Sequence, residues 1–116
     1  MSYQAPVKDM LFVMKELAGI EAVATLPEFE DAGYDTAAAV LEECAKLNEG
    51  VIAPLNWTGD QQPSWFKDGK VTTTPGFKEA FKEFAQGGWQ GLHHPADFGG
   101  QGLPKLIHAA CIEMIN

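Results

Sequence analysis

The 116-residue chain lacks the features that mark membrane and secreted proteins. No run of apolar residues reaches the roughly 18–20 that a helix needs to span a bilayer. The N-terminal residues do not read as a secretory signal, because no basic segment precedes an apolar core there. Cysteine is scarce too: Cys44 and Cys111 stand without a CxxC pair or a Cys/His cluster. We therefore expect a cytoplasmic protein that keeps two buried, reduced thiols.

Basic side chains are few: 8 lysine and arginine residues stand against 16 acidic ones, which gives a net charge of −8. Nucleic acids and anionic membranes both require a basic surface, so neither is an expected partner. The chain also has neither a P-loop nor a GxSxG motif. Its carboxylates lie where solvated charges are expected. We assign no catalytic residue on this basis.

What the chain does have is apolar residues at helical spacing, which predict a mainly α-helical fold with at most one small β-hairpin. The first predicted helix is capped by Asp9 and ends near Gly19. Its consecutive apolar residues, Met10 to Met14, indicate burial on more than one side. They could face the domain's own core or a neighbouring domain or subunit, and the sequence leaves both open.

A second helix is predicted after its N-cap, Asp35. Its apolar stripe consists of Val40, Cys44, Leu47 and Val51. Pro54 should end or kink this helix. The polar residues 56–63 that follow predict a loop.

A hairpin and a third helix are predicted next. Residues 64–72 read as the hairpin, because Asp68-Gly69 is a strong tight-turn signal, and two strands alone must rest on helices to be stable. Thr74 then caps a helix that ends at Gly87. The aromatic face of this helix, which predicts core packing, consists of Phe77, Phe81 and Phe84.

The last predicted helix starts at Pro104, where a missing N–H costs nothing. One side of it carries Leu103, Ile107, Ala110 and Met114. The pattern reaches Asn116 before any cap appears, which favours a piece of a longer polypeptide.

Residues 87–104, called the glycine loop, join the last two helices and hold six glycines and two prolines. Glycine admits positive φ and close approach of another group, while proline fixes φ. A long loop is usually functional or disordered, and apolar anchors argue for order. The expected anchors are Trp89, Leu92, Pro95 and Phe98. The run Gly99 to Gly102 superficially suggests a phosphate cradle, but no strand precedes it, so a structural turn is favoured.

Histidines form one cluster in the sequence. His93 and His94 are adjacent in the glycine loop, and His108 lies on the following helix. Neighbouring side chains on an extended backbone point to opposite sides, and zinc or iron would need three or four convergent ligands. We expect solvent-facing or hydrogen-bonded histidines and no metal site.

The glycine loop resembles the conserved loop in the N-terminal helical domain of flavin-dependent acyl-CoA dehydrogenases. The matching residues are Trp89-x-Gly91-Leu92, Pro95 and Phe98-Gly99-Gly100-x-Gly102-Leu103-Pro104. Phe98 stands where the family usually has tyrosine, and His93-His94 departs from the family pattern. Other segments resemble a bacterial subgroup with an N-terminal extension, which includes methylthiopropanoyl-CoA dehydrogenase-like members. These are Tyr3-x-Ala5-Pro6, Asp9-Met10-x-Phe12-Val13, Asp68-Gly69-x-Val71 and Pro75-Gly76-Phe77.

The resemblance implies α,β-dehydrogenation of an acyl-CoA thioester, with a glutamate base and FAD as the hydride acceptor. It also implies three parts: a helical N-terminal domain, a middle β-domain and a C-terminal four-helix bundle. Residues 1–34 would be the N-terminal extension and first helix. Residues 35–116 would be the N-terminal helical domain, a single compact unit truncated at its C-terminus. The base and most flavin contacts would lie in the other parts, so we expect this chain alone to be inactive and free of FAD.

In such an enzyme the glycine loop and the start of the last helix would reach the pocket that holds flavin and acyl-CoA. The possible pocket-lining residues are Gly99, Gly100, Gly102, Leu103 and Ile107. The β-domain and the bundle would be its partners, and without them we expect self-association. The alternative is a stand-alone helical module, without flavin, that binds a protein through Met10–Leu17 and the glycine loop. A small metal enzyme that relies on the histidines is a third and weaker alternative.

Overall fold

The structure, a computed structural model, describes residues 2–116 and is mainly α-helical within them, with one small β-hairpin, as predicted. The helices are α1 (Val7–Glu16), α2 (Ile20–Val23), α3 (Tyr34–Leu47), α4 (Pro54–Gln61), α5 (Phe77–Gln86) and α6 (Lys105–Ile115). The strands are β1 (Trp65–Lys67) and β2 (Lys70–Thr72). Short 3₁₀ turns occupy Pro27–Phe29, Trp89–Gly91 and Ala96–Phe98, and a π-helix occupies Asn48–Ile52. No helix among residues 2–116 combines the length and the hydropathy that crossing a bilayer requires.

The core lies around α3, which packs against α1 on one side and α6 on the other. The side chains of Leu41 and Cys44 on α3 are completely buried, and so is Ile107 on α6. Cys44 and Cys111 are free, buried thiols, as expected, and the Cys44 thiol points to the Cys111 carbonyl oxygen at 3.8 Å. The hydrogen bond with Cys44, followed by burial, raises the pKa of the Cys111 thiol far above its usual range. Because both side chains are buried among apolar neighbours, the two thiols act as packing groups here.

Helix α1 is buried on one side only, so the expectation of burial on more than one side is wrong for this chain. Met10, Leu11 and Met14 lie in the core, whereas Phe12 is 62% exposed and Leu17 is 76% exposed. The reason is that the neighbours of α1, namely α2 and α3, cover a single stripe of it. The exposed stripe fits the interpretation in which part of this helix faces another polypeptide.

Two predicted N-caps are wrong by a turn or less. Helix α1 begins at Val7, so Asp9 lies inside its first turn, and α3 begins at Tyr34, so Asp35 lies inside that first turn. The free amide of Tyr34 donates instead to the carboxylate of Glu21, at 2.9 Å. The Glu21 side chain, from another element, therefore satisfies a free helix amide that a local N-cap residue would otherwise satisfy.

Pro54 does not lead into a loop, because it occupies the first turn of α4. The π-helix at Asn48–Ile52 continues α3, and the Ala53 amide bonds to the Asn48 carbonyl at 2.7 Å, a spacing of five residues. A proline at the start of a helix loses no hydrogen bond. The prediction of a loop over residues 56–63 is therefore wrong as far as Gln61.

The hairpin forms where predicted, with Asp68 and Gly69 in the turn at φ 52° and 76°. Both of its strands are exposed along their whole length, so the expectation that it rests on helices is wrong within residues 2–116. It is fixed at its base instead. The buried Thr74 hydroxyl donates to the Gln62 carbonyl at 2.8 Å, and the Thr74 amide donates to the Ser64 hydroxyl at 3.1 Å.

Helix α5 differs from its prediction at its start and on its aromatic face. Gly76, at φ 90°, precedes the helix in place of a Thr74 cap. The helix ends at Gly87 as predicted, and the residue with left-handed backbone is the next one, Gly88. Only Ala80 of this helix is buried, while Phe81 is 69% exposed. The aromatic face therefore does not pack into the core, because α5 has no extensive packing on α1, α3 or α6.

The molecule is flat and extended. Its principal extents are 54 × 37 × 17 Å and its radius of gyration is 16.5 Å, against about 13–14 Å for a compact domain of this length. The helices α1, α3 and α6 form the packed half, and α4, the hairpin and α5 form the open half.

Candidate functional site in the glycine loop

The glycine loop is ordered by its own backbone, which folds back so that residues 91–95 bond to residues 100–103. The Gly91 carbonyl accepts the amide of Gln101 at 3.0 Å, and the Leu92 carbonyl accepts that of Leu103 at 2.9 Å. The Pro95 carbonyl accepts the amides of Phe98 and Gly100, each at 3.1 Å. These bonds satisfy backbone groups that a long loop would otherwise leave to water.

Gly100 is the residue on which this doubled arrangement depends. A Cβ atom there would overlap the carbonyl oxygen of His94 and approach its carbonyl carbon to 2.5 Å. That same oxygen accepts the Gly102 amide at 2.9 Å. The glycine is therefore required by close backbone approach within the chain itself.

The four expected anchors behave differently. Leu92 is buried in the core and Trp89 packs against it, while Pro95 is exposed and contributes through its carbonyl. Phe98 is 87% exposed. An anchoring role for Phe98 does not agree with this exposure, because the loop is closed by backbone bonds and leaves the ring outside.

The five possible pocket-lining residues differ in whether open space lies beside them. Gly99 and Gly102 have positive φ, 83° and 65°, and an added Cβ would meet nothing within 4 Å at either. Leu103 is half-buried against the core. Ile107 has no exposed surface, so it cannot line a pocket from within this chain. The open side of the loop is therefore at Gly99 and Gly102.

The three histidines come together, contrary to the expectation that His93 and His94 diverge. The ring centroids of His93 and His94 lie 4.5 Å apart, and those of His93 and His108 lie 4.1 Å apart. The divergence was wrong because both residues lie in a turn, not on an extended backbone. Desolvation, followed by repulsion from His108, His94 and Lys105, lowers the pKa of His93. The rings are tilted against one another and do not form a ligand set, and residues 2–116 contain no cluster suited to hold a metal ion.

A second feature was missed by the sequence interpretation: a wide cleft between α4 and α5, called the α4–α5 groove. It has a volume of about 1230 Å³. Its walls include Trp57 from α4, Phe77 and Phe81 from α5, and Met114 from the end of α6. The aromatic stripe on α5 was the available signal, but it was assigned to the core.

The comparisons with known proteins extend over the whole chain. No protein-family model matches it. It is 40% identical over 116 residues to a 3-methylmercaptopropionyl-CoA dehydrogenase from Ruegeria pomeroyi, covering 100% of this chain and 20% of that protein. It is 30% identical over 115 residues to the broad-specificity linear acyl-CoA dehydrogenase FadE5 from Mycobacterium tuberculosis, covering 97% of this chain and 19% of that protein. The chain thus spans about a fifth of the length of these curated relatives, and it is similar along that length to one part of two acyl-CoA dehydrogenases.

Proposed function

We propose that this chain is the N-terminal helical domain of a flavin-dependent acyl-CoA dehydrogenase and is inactive alone. The observation that carries the proposal is the similarity of the whole chain to two such enzymes at 40% and 30% identity. The name of the first agrees with the subgroup suggested by the residues near Tyr3. On this proposal the acyl-CoA substrate, the β-domain and the bundle are the partners, and the catalytic glutamate lies outside the chain.

The residues of the glycine loop fit one wall of a flavin and thioester pocket, not a complete site. The open positions Gly99 and Gly102 allow close approach, because no side chain stands there. Leu103, half-buried beside them, adds apolar surface that excludes water. Bound FAD supplies the hydride acceptor of the reaction. The contribution of this chain is to close the pocket, while Ile107 and Gly100 support the loop from inside.

A stand-alone interaction module without flavin is the second candidate, and the exposed side chains of Phe12 and Leu17 favour it. The two candidates differ in one observable. The dehydrogenase domain belongs to a longer reading frame whose product holds flavin and oxidises an acyl-CoA thioester, whereas the module does neither.

Replacement of Gly102 by asparagine in the complete gene product tests the pocket wall. Asparagine tolerates positive φ, so Gly102→Asn keeps the backbone while its side chain enters the open space. We expect a lower thioester turnover or flavin content, measured by dye reduction and by flavin absorbance. Gly69→Asn is the matched control, because Gly69 also has positive φ, 76°, and no neighbour within 4 Å of an added Cβ.

Equal thermal midpoints of the two variants would show that both fold. If Gly102→Asn then turns over thioester and retains flavin as well as Gly69→Asn does, the glycine loop does not line the pocket.

A further inference from the structure

The α4–α5 groove is an apolar surface in the open half of the molecule that residues 2–116 leave uncovered. Trp57 is 72% exposed and Phe81 69% exposed, and Phe84 and Leu55 also line it. Exposed aromatic side chains that gather in one cleft and are rimmed by polar residues are typical of interaction sites. Its dimensions, about 1230 Å³ in an open cleft, suit a helix rather than a small molecule, which is normally enclosed.

The charge of the groove restricts what can occupy it. The charged side chains that line it are the carboxylates of Glu49 and Asp60, and no lysine is among the lining residues. Asn48 lies at the same place, 1% exposed, and its amide oxygen has no hydrogen-bond partner. Carboxylates and a free amide oxygen all accept hydrogen bonds. The groove is therefore complementary to a partner that brings donors and positive charge.

This complementarity argues against two other occupants. A second copy that paired groove to groove would place Glu49 and Asp60 near the same carboxylates of its partner, and like charges across an interface are costly. Fatty acids and anionic lipids carry the wrong charge for the same reason. An amphipathic helix with lysine or arginine beside its apolar face satisfies both the aromatic walls and the acidic rim.

The position of the groove indicates where such a helix comes from. Met114, Ile115 and Asn116 line it, so a polypeptide that continues from α6 starts beside it at high effective concentration. The relatives are about five times as long as this chain. We propose that the α4–α5 groove binds an amphipathic helix with basic flanks, supplied by the polypeptide that follows residue 116 in the complete protein. This rests on the proposed function only in that the chain is part of a longer polypeptide.

Two phenylalanines provide the test. Phe81→Ser removes a ring from the groove, and Phe98→Ser removes an even more exposed ring outside it, so the chemical change is matched. We expect Phe81→Ser to speed amide hydrogen exchange of α5 about tenfold or more in the complete gene product, because a buried aromatic contact is lost. In the chain of residues 1–116 the same change should alter exchange less than about twofold, because nothing covers Phe81 there.

The charge component is tested by Asp60→Asn against Asp97→Asn in the complete product. Asp60→Asn should speed α5 exchange by a smaller factor, and its effect should fade at high salt because rim charges are screened. Equal effects of Phe81→Ser and Phe98→Ser on α5 would overturn the proposal, as would a reading frame that stops at residue 116. Concentration-dependent dimers of the 116-residue chain that Phe81→Ser abolishes would assign the groove to a second copy instead.

Flavin content and thioester turnover of the wild-type product separate this inference from the proposed function. An inactive, flavin-free product in which Phe81→Ser still releases α5 keeps the groove assignment and removes the dehydrogenase. An active, flavin-containing product in which Phe81→Ser leaves α5 exchange unchanged keeps the dehydrogenase and removes the groove assignment.

Discussion

Helices α3 and α5 carry the same kind of sequence pattern and have opposite surroundings. On α3 the apolar stripe lies in the core, and Leu41 has no exposed surface. On α5 the stripe is more strongly aromatic, yet Phe81 faces the open groove. An amphipathic pattern therefore shows that a helix face is made to pack. It does not show whether the matching surface belongs to the same chain.

The largest expected effect is the difference in unfolding free energy between a truncation on α3 and one on α5. In the 116-residue chain, Leu41→Ala should lower the free energy of unfolding by about 2–5 kcal/mol, since it leaves a cavity between α1, α3 and α6. Phe81→Ala should change it by less than about 0.5 kcal/mol, because an exposed side chain loses little on truncation. Urea denaturation followed by circular dichroism measures both. Similar losses for the two variants would show that α5 is packed in solution and would break the comparison.

Two glycines show the same difference between a crowded and an open position, and replacing them should change stability by an intermediate amount. Gly100→Ala should destabilise the chain by about 1–3 kcal/mol, because the new methyl group overlaps the His94 carbonyl. Gly50→Ala should stabilise it by about 0.5–1 kcal/mol, because Gly50 lies in a helical segment with nothing within 4 Å of an added Cβ. The midpoints of the same urea transitions check the signs. A stable Gly100→Ala variant would mean that the doubled loop does not form.

The smallest effect concerns the histidine cluster of the packed half. The pKa of His93 lies below its ordinary value in the folded chain, so the unfolded chain takes up a proton first as the pH falls below about 6.5. Stability is therefore full above that pH and decreases as the pH falls towards the folded pKa. His93→Gln should flatten this decrease, as measured by thermal midpoints between pH 7.5 and pH 5.5. An unchanged slope would show that the cluster does not titrate in that window.

Much of the fold was predictable because the signals are local. The Asp68-Gly69 pair specified its turn, and the stripe on α3 and the residues after Pro104 specified two core helices. The helix start at Tyr34 could not be predicted, since its amide is satisfied by Glu21 from another element. The α4 helix was missed because Pro54 was interpreted as the end of the preceding helix. In the structure a π-helix precedes Pro54, and Pro54 is the first residue of α4.

For the candidate site, the position of the loop was predictable from the sequence, but the exposure of its individual side chains was not. Glycine and proline density marked the loop, and Leu92, one of the four proposed anchors, is buried. The exposure of Phe98 and the contact of the His93 ring with that of His108 depend on how the loop doubles back. The loop is closed by hydrogen bonds between residues roughly ten positions apart, such as Gly91 and Gln101, which composition does not reveal. Ile107 is buried because α6 packs on α3.

By itself the sequence determined which segments are helical, where the hairpin turns, which loop is special and which enzymes the chain resembles. Those properties depend on local backbone preferences and on the spacing of apolar residues. Only the tertiary structure decided which apolar faces have a neighbour. Burial is a property of two surfaces, and a sequence describes the helix face without the partner that covers it or, for α5, leaves it open.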